Sequence, residues 1–302
     1  MPNPMSSRWV KGSLVIYPPE YPGTCFFVDS TNGDDTNNSG LDWENALATI
    51  DAAVDKCTAS TGNTIYVAPW HVEDLAADSA VDVDAVGISI VGIRRGREMP
   101  TLTATAIAGD FKLAAASTSV RNIRFLSGVD ATTGILEVSA ADCAVIDCEF
   151  RDSVDQSTDG LITVSGADRL LIDGWKHFGA AAAGGNSAIA LDGSDDCEIK
   201  NCYIYGNFAV GAIDLRTTAS ARVDIHDNKI WNANASCIAV VDTVTTSTGF
   251  IGPNLSIMLL TNGANITEAV TGATFQYIPP IYVCNLAGES AMPTNITALT
   301  DA

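Results

Sequence analysis

The chain has 302 residues and carries 36 Asp plus Glu against 16 Lys plus Arg, a formal charge of −20. That balance repels nucleic-acid phosphates and anionic lipid, which argues against both as partners. No window approaches the ~20 apolar residues of a membrane span, and Met1–Ser7 lack the basic-then-apolar pattern of a secretory signal.

Residues 1–24 read as an extended arm. Pro2, Pro4, Pro18, Pro19 and Pro22 oppose regular helix. Leu14-Val15-Ile16-Tyr17 is a strand-forming stretch. Trp9, Leu14, Ile16, Tyr17 and Tyr21 are the side chains expected to grip a neighbouring subunit. A frayed terminus is the competing reading.

Residues 25–63 read as a strand, Phe26 to Ser30, a polar loop, and a short amphipathic helix from Asp42 to about Cys57. Ala46, Leu47, Ile50, Ala53, Val54 and Cys57 recur at helical spacing, with Glu44, Asp51, Asp55 and Lys56 outward and Asp42 as N-cap. Such a helix would cover the open strand edges at one end of a stack.

Residues 64–245 carry a period of about 25 residues. One apolar series runs Phe111-Lys112-Leu113, Leu136-Glu137-Val138, Ile162-Thr163-Val164, Ile189-Ala190-Leu191, Ile213-Asp214-Leu215 and Ile238-Ala239-Val240. A second runs through Ile90, Val120, Val145, Ile172, Ile199 and Ile225. Alternation at period two is strand behaviour, and a fixed period of this size marks a stacked architecture. The reading is all-β: a right-handed parallel β-helix with a short N-terminal capping helix. Gly92, Asn122, Asp147, Gly174, Asn201 and Asp227 recur at one place and tolerate a left-handed backbone, so a bend is expected there.

Cys143 with Cys197, and Cys148 with Cys202, fall at equivalent sites two coils apart, about 9.6 Å and beyond disulfide reach. They read as reduced apolar fillers, and stacked zinc ligands are the weaker alternative for want of matching histidines. Catalytic carboxylates would come from Asp147, Glu149, Asp173, Glu198 and Asp227, with Lys200 or Arg222 as a base. The register sets Asp147 opposite Gly174 and Asp173 one place off. Trp175 and Trp231 look isolated, so no aromatic platform for sugar is expected. His71, reading as a surface or packing residue, His177 in an irregular stretch and His226 beside Asp227 show no ligand pattern. No catalytic, cofactor or metal residue is assigned. After Val241 the period is lost, and 246–302 reads as a cap or attachment segment.

Phe27-Val28-Asp29-Ser30, Gly33-Asp34-Asp35, Leu41-Asp42-Trp43, Leu47-Ala48-Thr49-Ile50 and Gly62-Asn63-Thr64-Ile65-Tyr66-Val67-Ala68-Pro69 resemble the entry to pectate-lyase-like β-helix proteins. With the coils and the tail Val241-Asp242-Thr243, Ile251-Gly252-Pro253 and Ala264-Asn265-Ile266-Thr267-Glu268-Ala269, the chain resembles β-helix virion proteins of tailed bacteriophages. The resemblance implies a non-enzymatic, homotrimeric capsid decoration or cement protein, assembled in host cytoplasm and contacting the major capsid protein or another virion protein. A tailspike or baseplate spike that binds or cleaves host polysaccharide is the alternative.

Overall fold

A computed structural model describes residues 8–10, 13–15, 23–130, 134–152, 159–179, 185–234, 238–258, 270–271, 275–277 and 281–285. Three parallel sheets of ten, nine and eight strands run the length of a β-helix. Each coil contributes one short strand to each sheet, as in Ser119–Arg121 to the first, Arg124–Ser127 to the second and Leu136–Val138 to the third.

The first sheet keeps the register read from sequence: Ile90, Val120, Val145, Ile172, Ile199 and Ile225 are direct neighbours and fully buried. The third departs from it. Leu136 pairs with Leu161, not Ile162, and Ile213 pairs with Val240, not Ile238. A one-residue slip exchanges the faces of a strand. Here Thr163 turns inward, where its hydroxyl accepts from Asp192 N (2.8 Å) and Ser194 Oγ (2.9 Å). A satisfied inward hydroxyl makes that register tolerable in the core.

The bend recurs as expected at Asn122, Asp147, Gly174, Asn201 and Asp227, with φ between 54° and 72°. Gly92 is the exception, having no positive φ. A Cβ there would stand 2.1 Å from the Asn122 carbonyl oxygen, so close approach of the next coil requires the glycine. A second left-handed corner joins the third sheet to the first at Asp142, Arg169, Asp196 and Arg222 (φ 56° to 61°). Its charges alternate, and Arg169 and Arg222 each reach back one coil to Asp142 and Asp196 with paired N–H bonds.

The capping helix is shorter than its apolar spacing suggests. A 3-10 turn, Trp43–Asn45, is capped by the Asp42 carboxylate, and an α-helix spans only Ile50–Val54 behind a Thr49 cap. Between them Ala46 is extended and Leu47 bridges Val28, exchanging backbone hydrogen bonds with Phe27 and Asp29. The edge of the first sheet captures those residues, because its pairing satisfies backbone groups that a helix end would leave open. Ile50, Ala53 and Val54 still bury the apolar face against the first coil.

Stacking also outruns the expected ends. Cys25–Val28 is already the outermost strand of the first sheet, paired with Thr64–Val67. Beyond residue 245, Gly249–Ile251, Asn254–Met258, Val270–Thr271, Phe275–Tyr277 and Ile281–Asn285 continue the three sheets in parallel register. In the arm, Arg8–Val10 pairs antiparallel with Ser13–Val15, a two-stranded hairpin rather than an extended run.

Candidate functional site

Chemistry on a β-helix is carried by its outward side chains and corners, since inward ones form the core. Of the carboxylates singled out from sequence, Glu149 is nearly buried and accepts from Arg124 Nε (2.8 Å) and Arg151 Nε (2.5 Å). Burial pushes its pKa up, but those two guanidinium bonds outweigh it and hold the group below its ordinary value. Glu198 is held down mainly by a Lys200 Nζ bond (2.9 Å), and also by His226. Asp147 pairs with Arg95 at 2.6 Å, and Asp173 accepts from Asn201 Nδ2 at 2.8 Å. Asp173 stands opposite Ile146, so the offset from Asp147 is as the spacing reads. Arg222 is committed to Asp196.

Four carboxylates to which the sequence reading gave no chemical role, Asp51, Asp82, Asp110 and Asp214, have raised pKa values, the last two the most. Asp214 is 2% exposed and burial pushes it up to about 6. Asp110 also rises to about 6 by burial, although Ser79 N–H donates to it. Near Asp214, Asp159 is tied to Arg216 Nη1 (3.1 Å) and Ser187 N (3.1 Å) and is 4% exposed. A protonated acid beside an ionised one is the pattern a glycosidase uses. Here both are sealed from solvent, and Asp159 is already paired with Arg216. One signal could have flagged Asp214: it is an acid at an outward strand position between the apolar neighbours Ala190 and Val241.

All three histidines are structural in their contacts. His71 is fully buried, not superficial. Its Nδ1 accepts from Ser30 N (3.1 Å), which places the proton on Nε2, donating to Glu73 Oε2 at 3.0 Å. Glu73 also accepts from Ile50 N (3.1 Å), so the pair pins the capping helix to the first coil. His177 lies in the regular strand Lys176–Phe178 and points inward between the positions of Phe150 and Ile204. His226 sits between Asp227 (2.8 Å) and Glu198 (3.1 Å). Burial opposes its charge, but those two carboxylates outweigh it and raise its pKa.

Cys143, Cys148, Cys197 and Cys202 are buried free thiols, with burial driving Cys148, Cys197 and Cys202 up to about 12. Leu170 and Trp175 occupy the intervening coil. Among the described residues no three His, Cys, Asp or Glu side chains converge as metal ligands, and no helix is long and apolar enough to cross a membrane.

The outer face of the second sheet differs from the rest. His177, Ile204 and Ile230 point inward, so Phe178, Tyr205 and Trp231 form one outward row and Lys176, Tyr203 and Lys229 the row beside it. Tyr205 meets Trp231 edge-on at 5.7 Å, Phe178 lies 5.7 Å from Tyr203, and the Arg151 guanidinium lies 5.3 Å over Phe178. Trp231 is therefore not isolated as expected, although Phe178, Tyr205 and Trp231 are only half-exposed. Trp175 is internal and 6.3 Å from Phe125, while Trp231 belongs to a surface row that only the coil register assembles.

Of the arm residues expected to touch a neighbour, Trp9 and Leu14 are cross-strand partners in the hairpin. Ile16, Tyr17 and Tyr21 lie outside the described residues.

A family model described as a right-handed beta helix region matches residues 113–250. No curated protein matches the chain. One similar solved structure is a rhamnogalacturonan lyase, 11% identical with a TM-score of 0.48, covering 92% of this chain and 91% of that one.

Proposed function

We propose that this chain is a non-enzymatic structural protein of a tailed-bacteriophage particle, a capsid decoration or cement protein projecting as a trimeric β-helix. The observation that supports a structural role is how its acids divide. The two carboxylates raised furthest, Asp214 and Asp110, are buried, and Glu149 and Glu198 are held ionised in ion pairs. A pair of carboxylates flanking a sugar bond needs one protonated and one ionised group open to the same substrate. The phage assignment, the trimer and the shell partner rest on the sequence resemblance. In this reading the arm carrying Trp9, Leu14, Ile16, Tyr17 and Tyr21 makes the subunit or shell contact, and 246–302 supplies the other end.

Deleting residues 1–22 is expected to reduce particle occupancy or trimer mass while leaving the far-ultraviolet β signature intact. Cryo-electron microscopy of particles carrying the deletion measures the first, and light scattering the second. Density for the full chain only at the tail tip would sink the decoration reading. The second reading, a spike that binds host-surface polysaccharide, is favoured by the aromatic and cationic rows of the second sheet.

A further inference from the structure

We propose that the outer face of the first sheet, from Trp43 to Arg121, docks on the same face of a second copy in antiparallel orientation, each copy's acidic end meeting the other's arginines. The inference goes beyond the proposed trimer and does not rest on it.

The face is built in order along the helix axis. Phe27, Tyr66, Val91 and Arg121 are direct neighbours on consecutive rungs and point outward, since Ile65, Ile90 and Val120 beside them point in. Trp43 meets Phe27 edge-on at 4.7 Å and Phe27 stacks on Tyr66 at 5.8 Å, so the 3-10 turn sits over the first rung. That end is acidic: residues 24–55 hold seven Asp or Glu and neither Lys nor Arg, and Asp42 and Glu44 in the turn are exposed. The other end is basic. Arg94, Arg95, Arg97 and Arg121 are exposed there. Arg95 is committed to Asp147, Arg94 reaches Glu98 only at 3.7 Å, and Arg97 and Arg121 have no ion pair among the described residues. The surface along the row is apolar. Leu41, Trp43, Trp70 and Ile93, four of the ten exposed large apolar side chains among the described residues, flank it.

The arginine loop is held in place by its neighbours. Asn122 Nδ2 donates to the Gly92 and Arg94 carbonyls (2.6 and 2.7 Å), Trp70 N–H donates to that of Glu98 (3.0 Å), and Arg97 lies 5.6 Å over the Trp70 ring. A surface fixed in this way loses little freedom on docking. A line that runs acidic, apolar, basic is complementary to itself when reversed, as a two-fold interface requires. The first and fourth rungs stand about 14 Å apart, so a two-fold axis between Tyr66 and Val91 brings each acidic turn to the other copy's arginines. Trp, Tyr and Arg concentrate binding energy at protein interfaces, and opposed charges fix the register. A different acidic partner would use the arginine end alone and be repelled by Asp42 and Glu44.

The test is light scattering of the full chain at micromolar concentration, with R94E/R97E/R121E and D42N/E44K as variants. Wild type should have the mass of two chains, or of six where the trimer also forms. Each variant should halve that mass, its self-association weakened at least about a hundredfold. Mixing the two variants should restore it, because each then carries the charges that the other's altered end needs. Asn keeps the cap that Asp42 supplies and the other sites are exposed, so both variants should keep the wild-type melting temperature. If one melts lower, the other alone decides. A wild-type mass of one chain, variants of unchanged mass, or halved masses without recovery in the mixture would overturn the proposal. A wild-type mass of three would overturn it while leaving the trimer standing.

Discussion

His177 concentrates the chemistry of a polar group inside a repeat. Its ring stacks on Phe150 at 4.4 Å and meets Phe208 edge-on at 5.1 Å, its Nδ1 has no hydrogen-bond partner among the described residues, and burial lowers its pKa to about 3. The unfolded imidazole titrates near 6.5. With the folded value depressed, the stability of the neutral form is complete above pH 6.5 and is lost as pH falls towards 3, by about 2 kcal/mol at pH 5. Leu is close to His in volume and leaves nothing unpaired. His177→Leu should therefore raise the melting temperature at pH 7 and raise it further at pH 5. Equal gains at both pH values in calorimetry would contradict this. Asp214 and Asp110 act in the opposite sense, since carboxylates raised to about 6 favour the folded state more as pH falls from 6 to 4. Comparing variant with wild type at each pH cancels them. The sequence shows a histidine at position 177, but its inward direction depends on a strand that Lys176, a charged residue, disguises.

At the scale of one element, the bend residues separate two reasons for a glycine. Gly174 has φ 72°, and a Cβ there would come closer than 3 Å only to the Asp147 carboxylate, at 2.9 Å, the end of a side chain whose other oxygen pairs with Arg95 and which can give by a few tenths of an ångström. Gly92 is not left-handed, yet its Cβ would meet a backbone oxygen. Gly174→Asn should thus cost under about 1 kcal/mol, since Asn occupies the same corner at Asn122 and Asn201. Gly92→Asn should cost more than about 3 kcal/mol by forcing two coils apart. Urea midpoints of the two variants check the order, and comparable losses would show that the bend alone explains both. The recurrence of Gly, Asn and Asp was legible in the sequence because one dihedral demands it. The clash at Gly92 was not, because it involves the neighbouring coil. The helix 50–54 was overread for a similar reason: apolar spacing registers burial, and sheet pairing at Leu47 buries it equally well.

Over the whole molecule, charge is the dominant long-range term. The ion pairs at the Asp142, Arg169, Asp196 and Arg222 corner are exposed, and pairs of that kind contribute about 0–1 kcal/mol each. Self-repulsion from a net charge of −20 acts on every coil at once. Raising NaCl from about 0.05 to 0.5 M shortens the screening length from roughly 14 to 4 Å. It should therefore increase the melting temperature, whereas a fall in a salt series would mean that the surface pairs outweigh the repulsion.

Sequence alone determined the period, the inward ladder of the first sheet and the recurring corner, since each is a local demand repeated every coil. It also established the acidity that argues against nucleic-acid and membrane partners. The tertiary structure decided which faces the third-sheet residues take, how far stacking continues past Val241, and that Phe178, Tyr205 and Trp231 stand in one row. Those three are about 26 residues apart in the chain, and only parallel pairing at a fixed register brings them to adjacent rungs. A one-residue slip would have turned them into the core, so their outward direction is a property of the stack and not of any segment.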